Sequence, residues 1–368
     1  MAGSTFGNIF KITTWGESHG KGIGVVVDGC PAGLSINEEM IQAYLNRRKP
    51  GQTKYATPRK ENDTVSILSG VFEGKTTGTP ISLVVMNETQ RSFDYSEIAT
   101  YYRPGHADYT FDSKYGFRDY RGGGRSSGRE TIGRVAGGAI AALILKELGI
   151  EVFAYTKSIG EVTIDYSQCK KENMQLSPLY MPDLNASAKA EDLLMAAMQE
   201  HDSVGGVIEC IVSNVPAGIG DPVFEKLDAN LAKAIMSIGA VKGFEIGDGF
   251  RCATKKGSQN NDPFHIENGN IMKLSNHAGG ILGGISDGSE IVLRAAIKAT
   301  PSIMRTQQTI NKYEENIDVS IKGRHDPVIV PRAVVVVEAM TAITVLDMML
   351  SNMTSKLSGI KEFYKKTK

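Results

Sequence analysis

Arginine and glycine alternate through one short segment of the chain. Four arginines, Arg121, Arg125, Arg129 and Arg134, lie within fourteen residues, interleaved with glycines and with the pair Ser126-Ser127. The second of these serines and the glutamate three residues later predict a capping box. Free backbone amides and the positive end of a helix would then lie beside guanidinium groups, as in sites for phosphate or carboxylate. The alternative is a solvated basic loop next to a well-capped helix.

Three histidines lie among turn-forming or charged neighbours. They are His19 in G-E-S-H-G, His106 in R-P-G-H-A-D and His325 in G-R-H-D-P. A histidine has a reference pKa of about 6.5 and can carry a proton to a leaving phosphate near neutral pH. Each of the three could instead be a satisfied turn or core histidine. His201 and His265 are assigned no function, and His277 is expected only to shape the turn that follows it.

Two other functions are weighed on these same segments. G-E-S-H-G matches the G-x-S-x-G elbow of serine hydrolases, with Ser18 as nucleophile, but an elbow needs a helix directly after the serine and a strand is predicted here. The segment Arg121–Arg129 resembles the Arg-Gly-rich stretches of RNA-binding proteins. A formal net charge of zero and the predicted ordered helix argue against nucleic acid as the partner.

Composition indicates a globular protein with local rather than overall charge. The 368 residues include 41 Lys+Arg and 41 Asp+Glu, so an anion must be bound by a local cluster. Glycine makes up 40 of the 368 residues, a larger fraction than the usual share of about 7%, and the glycines are clustered. The four cysteines lack C-x-x-C spacing, so we predict no metal site and no redox pair, while Cys210 is expected to be buried. No signal peptide is apparent and the apolar run Val135–Leu145 is too short to span a bilayer, so a cytoplasmic protein without membrane contact is expected.

The elements that must position these residues predict an α+β fold with mixed sheets. Strands are expected at Gly22–Asp28, Pro80–Met86 and Val207–Val212. Helices are expected from a cap at Asn37 to about Arg48, over Val135–Leu148 with Gly149 as the stop, from a cap at Asp221-Pro222 to about Ile238, and over Arg332–Asn352. Within the last of these, Val334–Val337 could equally begin as a strand.

Five motifs together resemble the chorismate synthase family. They are G-E-S-H-G-K-G-I-G-V-V-V-D-G-C-P-A-G (Gly16–Gly33), R-P-G-H-A-D (Arg103–Asp108), Y-R-G-G-G-R-S-S-G-R-E-T (Tyr120–Thr131), S-N-H-A-G-G-I-L-G-G-I-S (Ser275–Ser286) and G-R-H-D-P (Gly323–Pro327). Long motifs in the family's order are far more specific than any short pattern. The resemblance runs from Gly16 to about Met340, nearly the whole chain.

The resemblance implies a fold, a reaction and a cofactor. The fold is a β-α-β sandwich with internal pseudo-symmetry, here as one domain over residues 1–368 that assembles as a homotetramer. The reaction converts 5-enolpyruvylshikimate-3-phosphate to chorismate by 1,4-anti elimination of phosphate, with reduced FMN as cofactor. The small anionic substrate carries a phosphate and two carboxylates, which explains why a neutral protein concentrates arginines at one pocket.

The resemblance also assigns roles to individual residues. His19 would be the acid for the leaving phosphate, His106 would protonate the reduced flavin, and Asp326 would serve proton transfer near the flavin. The residues expected to bind FMN are Arg125, Ser126, Ser127, Gly239, Ala240, Gly283, Lys298, Ala299, Thr300, Pro301, Ser302 and Arg324. The residues expected to bind the substrate or NADP are Arg48, Lys54, Arg129 and Arg134. Whether NADPH reduces the flavin on this chain or an external flavin reductase does so stays open at this point.

Overall fold

The computed structural model describes residues 3–56, 61–87, 97–321 and 326–365. The strands are β1 Thr5–Phe6, β2 Lys11–Gly16, β3 Gly22–Asp28, β4 Val65–Ile67, β5 Val71–Phe72, β6 Lys75–Thr76, β7 Ile81–Met86, β8 Glu151–Ile159, β9 Val162–Thr163, β10 Gly206–Ser213, β11 Val241–Ile246, β12 Phe264–Glu267, β13 Asn270–Lys273, β14 Ile281–Leu282, β15 Ile285–Ser286, β16 Ile291–Ile297, β17 Gln307–Ile310 and β18 Asn316–Val319. The helices are α1 Glu38–Arg48, α2 Asp108–Tyr115, α3 Thr131–Glu147, α4 Asn173–Leu176, α5 Leu184–Gln199, α6 Leu227–Met236, α7 Gly257–Asn260, α8 Val330–Asn352 and α9 Leu357–Lys365.

Two antiparallel sheets enclose a layer of helices. One sheet has the order β1-β2-β3-β7-β4 and the other the order β11-β16-β10-β8-β9. Helix α3 packs on β2 and β3 of the first sheet, α8 packs on β8 and β10 of the second, and α3 and α8 pack on each other. Apolar residues of both sheets and of these helices form the hydrophobic core. The expected α+β class and β-α-β sandwich are confirmed.

The two halves of the chain repeat one topology. In the first half β2, β3, α1, β4, the hairpin β5–β6, β7 and α3 follow one another, and in the second β8, β10, α6, β11, the hairpin β14–β15, β16 and α8 do so, with insertions between them. The central strand order β2-β3-β7-β4 matches β8-β10-β16-β11. This correspondence is the expected internal pseudo-symmetry. It also makes the residues that follow β7 and β16 equivalent in the two halves.

Most predicted elements form where the sequence places them. Strand β3 has the expected bounds, Asn37 accepts a hydrogen bond from the amide of Met40 as the N-cap of α1, and Cys210 is buried. The segment Val334–Val337 is helical throughout as part of α8. This helix is long and apolar enough to cross a membrane, but most of it is buried between α3, α6 and the second sheet, so it is a core helix.

The predicted start of α6 was wrong. The helix begins at Leu227 instead of at Asp221-Pro222, and ends at Met236. The amide of Asp221 donates to the carbonyl of Glu225 in a separate turn, and the amide of Leu227 donates to the carbonyl of Gly284. Contact with the hairpin β14–β15 therefore fixes the first helical residue, and a local capping signal cannot report such a contact.

Gly138 is where the two central helices come closest. A Cβ atom on Gly138 would lie 2.6 Å from the Cα of Ala339, so α3 and α8 could not keep their present separation. We expect Gly138→Ala to lower the free energy of unfolding by about 1–3 kcal/mol, because overpacking outweighs the better helix propensity of alanine. Gly359→Ala in α9 is the control, since a Cβ there meets nothing within 4 Å. Urea unfolding of both variants measures the difference, and equal stability would contradict the close packing.

Candidate active site

The R-P-G-H-A-D motif folds into a turn closed by its first and last residues. Arg103 donates to the carboxylate of Asp108 from Nε and Nη2, both at 2.8 Å, and from its own amide at 3.0 Å. Burial alone would raise the pKa of Asp108, but the hydrogen bonds and charge of Arg103 outweigh it and hold the pKa below the usual range. The closed turn fixes the position of His106 between its two ends.

His106 contacts the loop that follows β16. Its Nε2 lies 2.7 Å from the Oγ of Ser302, and Nζ of Lys298 donates to the carbonyl of Gly105 at 2.6 Å. The amide of Lys298 in turn donates to the carbonyl of Ala240 at 2.9 Å. The structure thus joins two of the predicted cofactor segments, Lys298–Ser302 and Gly239-Ala240, to the motif that carries a predicted catalytic histidine.

Two lysines at this point favour an anionic ligand. Burial lowers the pKa of Lys298, and the nearby positive charge of Lys242 lowers it further. An anion bound beside Lys298 would offset both effects. The loop is therefore electrostatically suited to a phosphate group.

His19 lies in the turn between β2 and β3, against the Arg-rich segment. A Cβ on Gly122 would overlap the imidazole of His19 and lie 2.9 Å from the Oγ of Ser18. Gly122 has a φ of +62°, which glycine adopts without strain. At the end of β7, Asn87 donates from Nδ2 to the carbonyls of Glu17 and Gly20 and so fixes the same turn. Because β3 follows this turn at once, the strand-turn-helix context of a serine-hydrolase elbow is absent from it.

The Arg-rich segment differs from its prediction in detail. Ser127 caps a short turn of 3₁₀ helix, Gly128–Glu130, and α3 begins only at Thr131. The side chain of Glu130 accepts from Thr14 and from Arg134 instead of completing a capping box. The amide of Ser127 donates to the carbonyl of Gly124 within the segment itself, so Ser127 does not present the free amide expected at this helix start.

Arg125 fixes this segment to the first sheet. Its guanidinium donates to the carbonyl of Gly16 at 3.1 Å and to the Oγ1 of Thr14 at 2.7 Å. Arg125 therefore attaches the Arg-rich segment to the end of β2, which leads into the His19 turn. A role of Arg125, Ser126 and Ser127 in cofactor binding stays a prediction.

Arg48 and Arg129 meet at one buried carboxylate. Oδ2 of Asp63 accepts from Nη2 of Arg48 at 2.6 Å, and its Oδ1 accepts from Nη1 of Arg129 at 3.1 Å. Arg129 also forms an ion pair with Glu61. Asp326 accepts from Nη1 of Arg332 at 2.5 Å, and Nε of Arg332 donates to the carbonyl of Arg48 at 3.1 Å. Arg332 thus connects Asp326 to Arg48, one of the arginines predicted to bind the substrate.

Some predicted residues lie away from these contacts. Lys54 is exposed over 68% of its side chain and is paired with Glu191 at 3.7 Å. Gly283 lies in the turn of the hairpin β14–β15, near α6. Arg134 donates to Glu130 and to Ser237, two residues before Gly239. Arg324 and His325 lie outside the described residues, and the ligand roles of all these positions stay predictions.

Comparison with known proteins identifies the family. The family model described as chorismate synthase matches residues 10–350. The chain belongs to the chorismate synthase family. A chorismate synthase of Lachnoclostridium phytofermentans is 74% identical over the full length of both chains, and one of Methanosarcina barkeri is 55% identical over 95% of this chain and 97% of its own. A solved structure, "Crystal Structure of Chorismate Synthase", is similar with a TM-score of 0.76 and 32% identity, covering 98% of both chains.

Membership of the chorismate synthase family makes the chain an enzyme, a lyase of the shikimate pathway that acts on a small molecule.

The described residues hold no group of three or more His, Cys, Asp or Glu side chains placed to bind a metal ion. The four cysteines are free thiols. The amide of His277 donates to Oδ1 of Asp262 at 2.8 Å, a contact that fits the expected role of His277 in shaping its turn.

Three side chains of this site were not predicted from the sequence. Asp63, Arg332 and Asn87 connect the arginines and the His19 turn, but none of them lies in a motif with a recognisable chemistry. Apart from the pair Arg332–Asp326, their partners are distant in sequence, from 15 residues for Asp63–Arg48 to 284 for Arg332–Arg48. The only local signal was the charge of Asp63 after a predicted helix, which is also typical of a solvated loop.

Proposed function

We propose that the protein converts 5-enolpyruvylshikimate-3-phosphate to chorismate and phosphate by 1,4-anti elimination, with reduced FMN as cofactor. The observation that carries the proposal is the joining of His19, His106, Asp326 and the arginines, which come from distant segments, through one continuous set of contacts. His19 lies against Gly122, and the neighbouring Gly123 lies beside Arg103 of the His106 turn. Arg48 donates to the carbonyl of Gly128 and connects Asp326, through Arg332, to the same segment.

The residues around His106 fit a flavin mononucleotide. Lys298 and Lys242 suit its phosphate, because burial and the charge of Lys242 both lower the pKa of Lys298, and a bound anion would offset both effects. Ser302 and the neighbouring backbone of Ala299, Thr300 and Pro301 would complete the binding loop, together with Gly239, Ala240 and the serines Ser126 and Ser127. When bound, reduced FMN supplies transient electron donation, which explains a redox cofactor in a reaction without net redox change.

The protein's own residues then bind the substrate and move protons. Arg48 and Arg129 would bind its acidic groups with the planar, multiple hydrogen bonds that guanidinium groups offer. His19, held in the β2–β3 turn, would donate a proton to the phosphate as it leaves. His106, oriented by Ser302, and Asp326, oriented by Arg332, are the two further proton-transfer groups.

We also propose that residues 1–368 form one domain, that four copies assemble, and that the enzyme works in the cytoplasm without a membrane or nucleic acid as partner. Among the described residues, one hydrophobic cluster includes buried side chains from Phe10 to Leu346, which supports one domain. The assembly and the location follow from the family resemblance.

An anaerobic assay tests the reaction and the source of electrons. With chemically reduced FMN, we expect chorismate and phosphate to form from 5-enolpyruvylshikimate-3-phosphate in equal amounts. With oxidised FMN and NADPH, activity would identify NADPH as reductant on this chain, and its absence would identify an external flavin reductase as partner. No chorismate with reduced FMN would overturn the proposed function.

A further inference from the structure

Asp63 is a buried carboxylate shared by two arginines of the proposed substrate site. Its side chain is 0% exposed, and those of Arg48 and Arg129 are exposed by 2% and 13%. Each of its oxygens accepts from a different guanidinium group, Oδ2 from Arg48 and Oδ1 from Arg129. The arrangement fixes the distance and the relative orientation of the two arginines.

Each arginine has further hydrogen bonds besides those to Asp63. Nη1 of Arg48 lies within 3.2 Å of the Gly128 carbonyl and 3.3 Å of the Thr131 hydroxyl, whereas its Nε is buried without a hydrogen-bond partner among the described residues. A buried donor without a partner is costly, and a ligand oxygen would relieve that cost. Nη2 of Arg129 donates to Oδ1 of Asn87 at 2.7 Å.

The backbone of Asp63 is also held in an unusual conformation. Its φ is +48°, in the left-handed region that a non-glycine residue adopts at a cost. Nε2 of Gln42 on α1 donates to its carbonyl at 3.2 Å, on the same helix that carries Arg48. The conformation directs the carboxylate inward, between the two guanidinium groups.

We propose that Asp63 is a positioning residue, which presents Arg48 and Arg129 to the acidic groups of the substrate; this rests on the proposed function. Three carboxylates, Asp63, Glu61 and Asp326, face the three arginines of the cluster. Glu61 is 18% exposed and Asp63 is 0% exposed, so Glu61 is the carboxylate that an arriving acidic group would displace from Arg129. Asp63, which is fully buried, would keep its contacts with both arginines.

Asp63→Asn tests the proposal, because it keeps the shape of the side chain and removes its charge. With saturating reduced FMN, we expect the KM for 5-enolpyruvylshikimate-3-phosphate to rise by about tenfold to a hundredfold, as for a lost hydrogen bond to a charged group. We expect kcat to stay within about threefold, because the proton-transfer groups are untouched. The dissociation constant of FMN is expected to stay unchanged.

Glu338→Gln is the matched control. Glu338 forms a similar buried pair with Arg47, next to Arg48 on α1, with distances of 2.7 and 2.8 Å and 6% exposure. We expect this variant to lose stability to a similar degree but to keep the wild-type KM. If Asp63→Asn leaves KM unchanged or lowers it, or if Glu338→Gln raises KM equally, the positioning role is wrong.

Asp63→Glu decides the question if Asp63→Asn does not fold. The added methylene group keeps the charge but moves the carboxylate, so a raised KM with nearly unchanged kcat is expected, whereas a wild-type KM would overturn the proposal. Wild-type enzyme in the same assay separates the two proposals. If it forms no chorismate, the proposed function has failed, whereas a failure confined to the comparison of variants concerns Asp63 alone.

Discussion

Replacing His106 by alanine is expected to lower turnover by about 10²–10⁴-fold, the range that a general acid or base contributes. The imidazole is held by Ser302 at 2.7 Å and by the closed turn between Arg103 and Asp108. Lys298 and the serines of the Arg-rich segment are unchanged in this variant, so FMN should still bind. Single-turnover kinetics with reduced FMN, together with equilibrium binding of oxidised FMN, measure the two effects separately.

His201→Ala is the control for this experiment. His201 is exposed just after α5 and is assigned no role in the site, and its removal should leave turnover at the wild-type level. Ser302→Ala should have a smaller effect than His106→Ala, because it removes only the hydroxyl that orients the ring. Full activity of His106→Ala would remove the proposed proton-transfer role.

Gly122→Ala is expected to reduce turnover by about 10²-fold, since a displacement of about 1 Å at a catalytic group has this effect. The added methyl group would overlap the imidazole of His19, so the histidine must move away from its present position. Substrate affinity should change less than kcat, because Arg48 and Arg129 are held by Asp63, elsewhere in the site.

Gly116→Ala separates this effect from backbone strain. Gly116 has a φ of +79°, so alanine is strained there too, but the new Cβ would meet nothing within 4 Å. Both variants should lose some stability, and only Gly122→Ala should lose the rate. Equal kcat values in the two variants would show that the position of His19 does not limit the reaction.

The sequence predicted elements whose signals are local. Strand β3 and helix α1 have alternating or helical patterns and clear ends, and both form within about a residue of the expected bounds. The start of α6 and the first turn before α3 could not be predicted in the same way. Gly284 contacts Leu227 and Thr14 contacts Glu130, and each partner comes from a distant part of the chain.

The same distinction applies to the site. Arginines, glycines and histidines in long motifs predicted which segments matter, and the structure brings several of them into contact. Which side chains they meet was not predictable, because Arg48 and Arg129 are oriented by Asp63, and Asp326 by Arg332. No fixed spacing in the sequence marks a carboxylate that pairs with a guanidinium group when the fold brings the two together from different segments.

The repeated topology has a consequence for any attempt to divide the chain. Asn87, directly after β7, secures the His19 turn and Arg129, while Lys298, directly after the equivalent strand β16, secures the His106 turn. A fragment ending at Gly149 would keep both histidines but lose Ser302, Lys298 and Asp326. The remaining fragment would keep those three residues but would lack the His19 turn and the His106 turn. Separately expressed halves should therefore be inactive alone, and activity should return only when the two fragments reassociate.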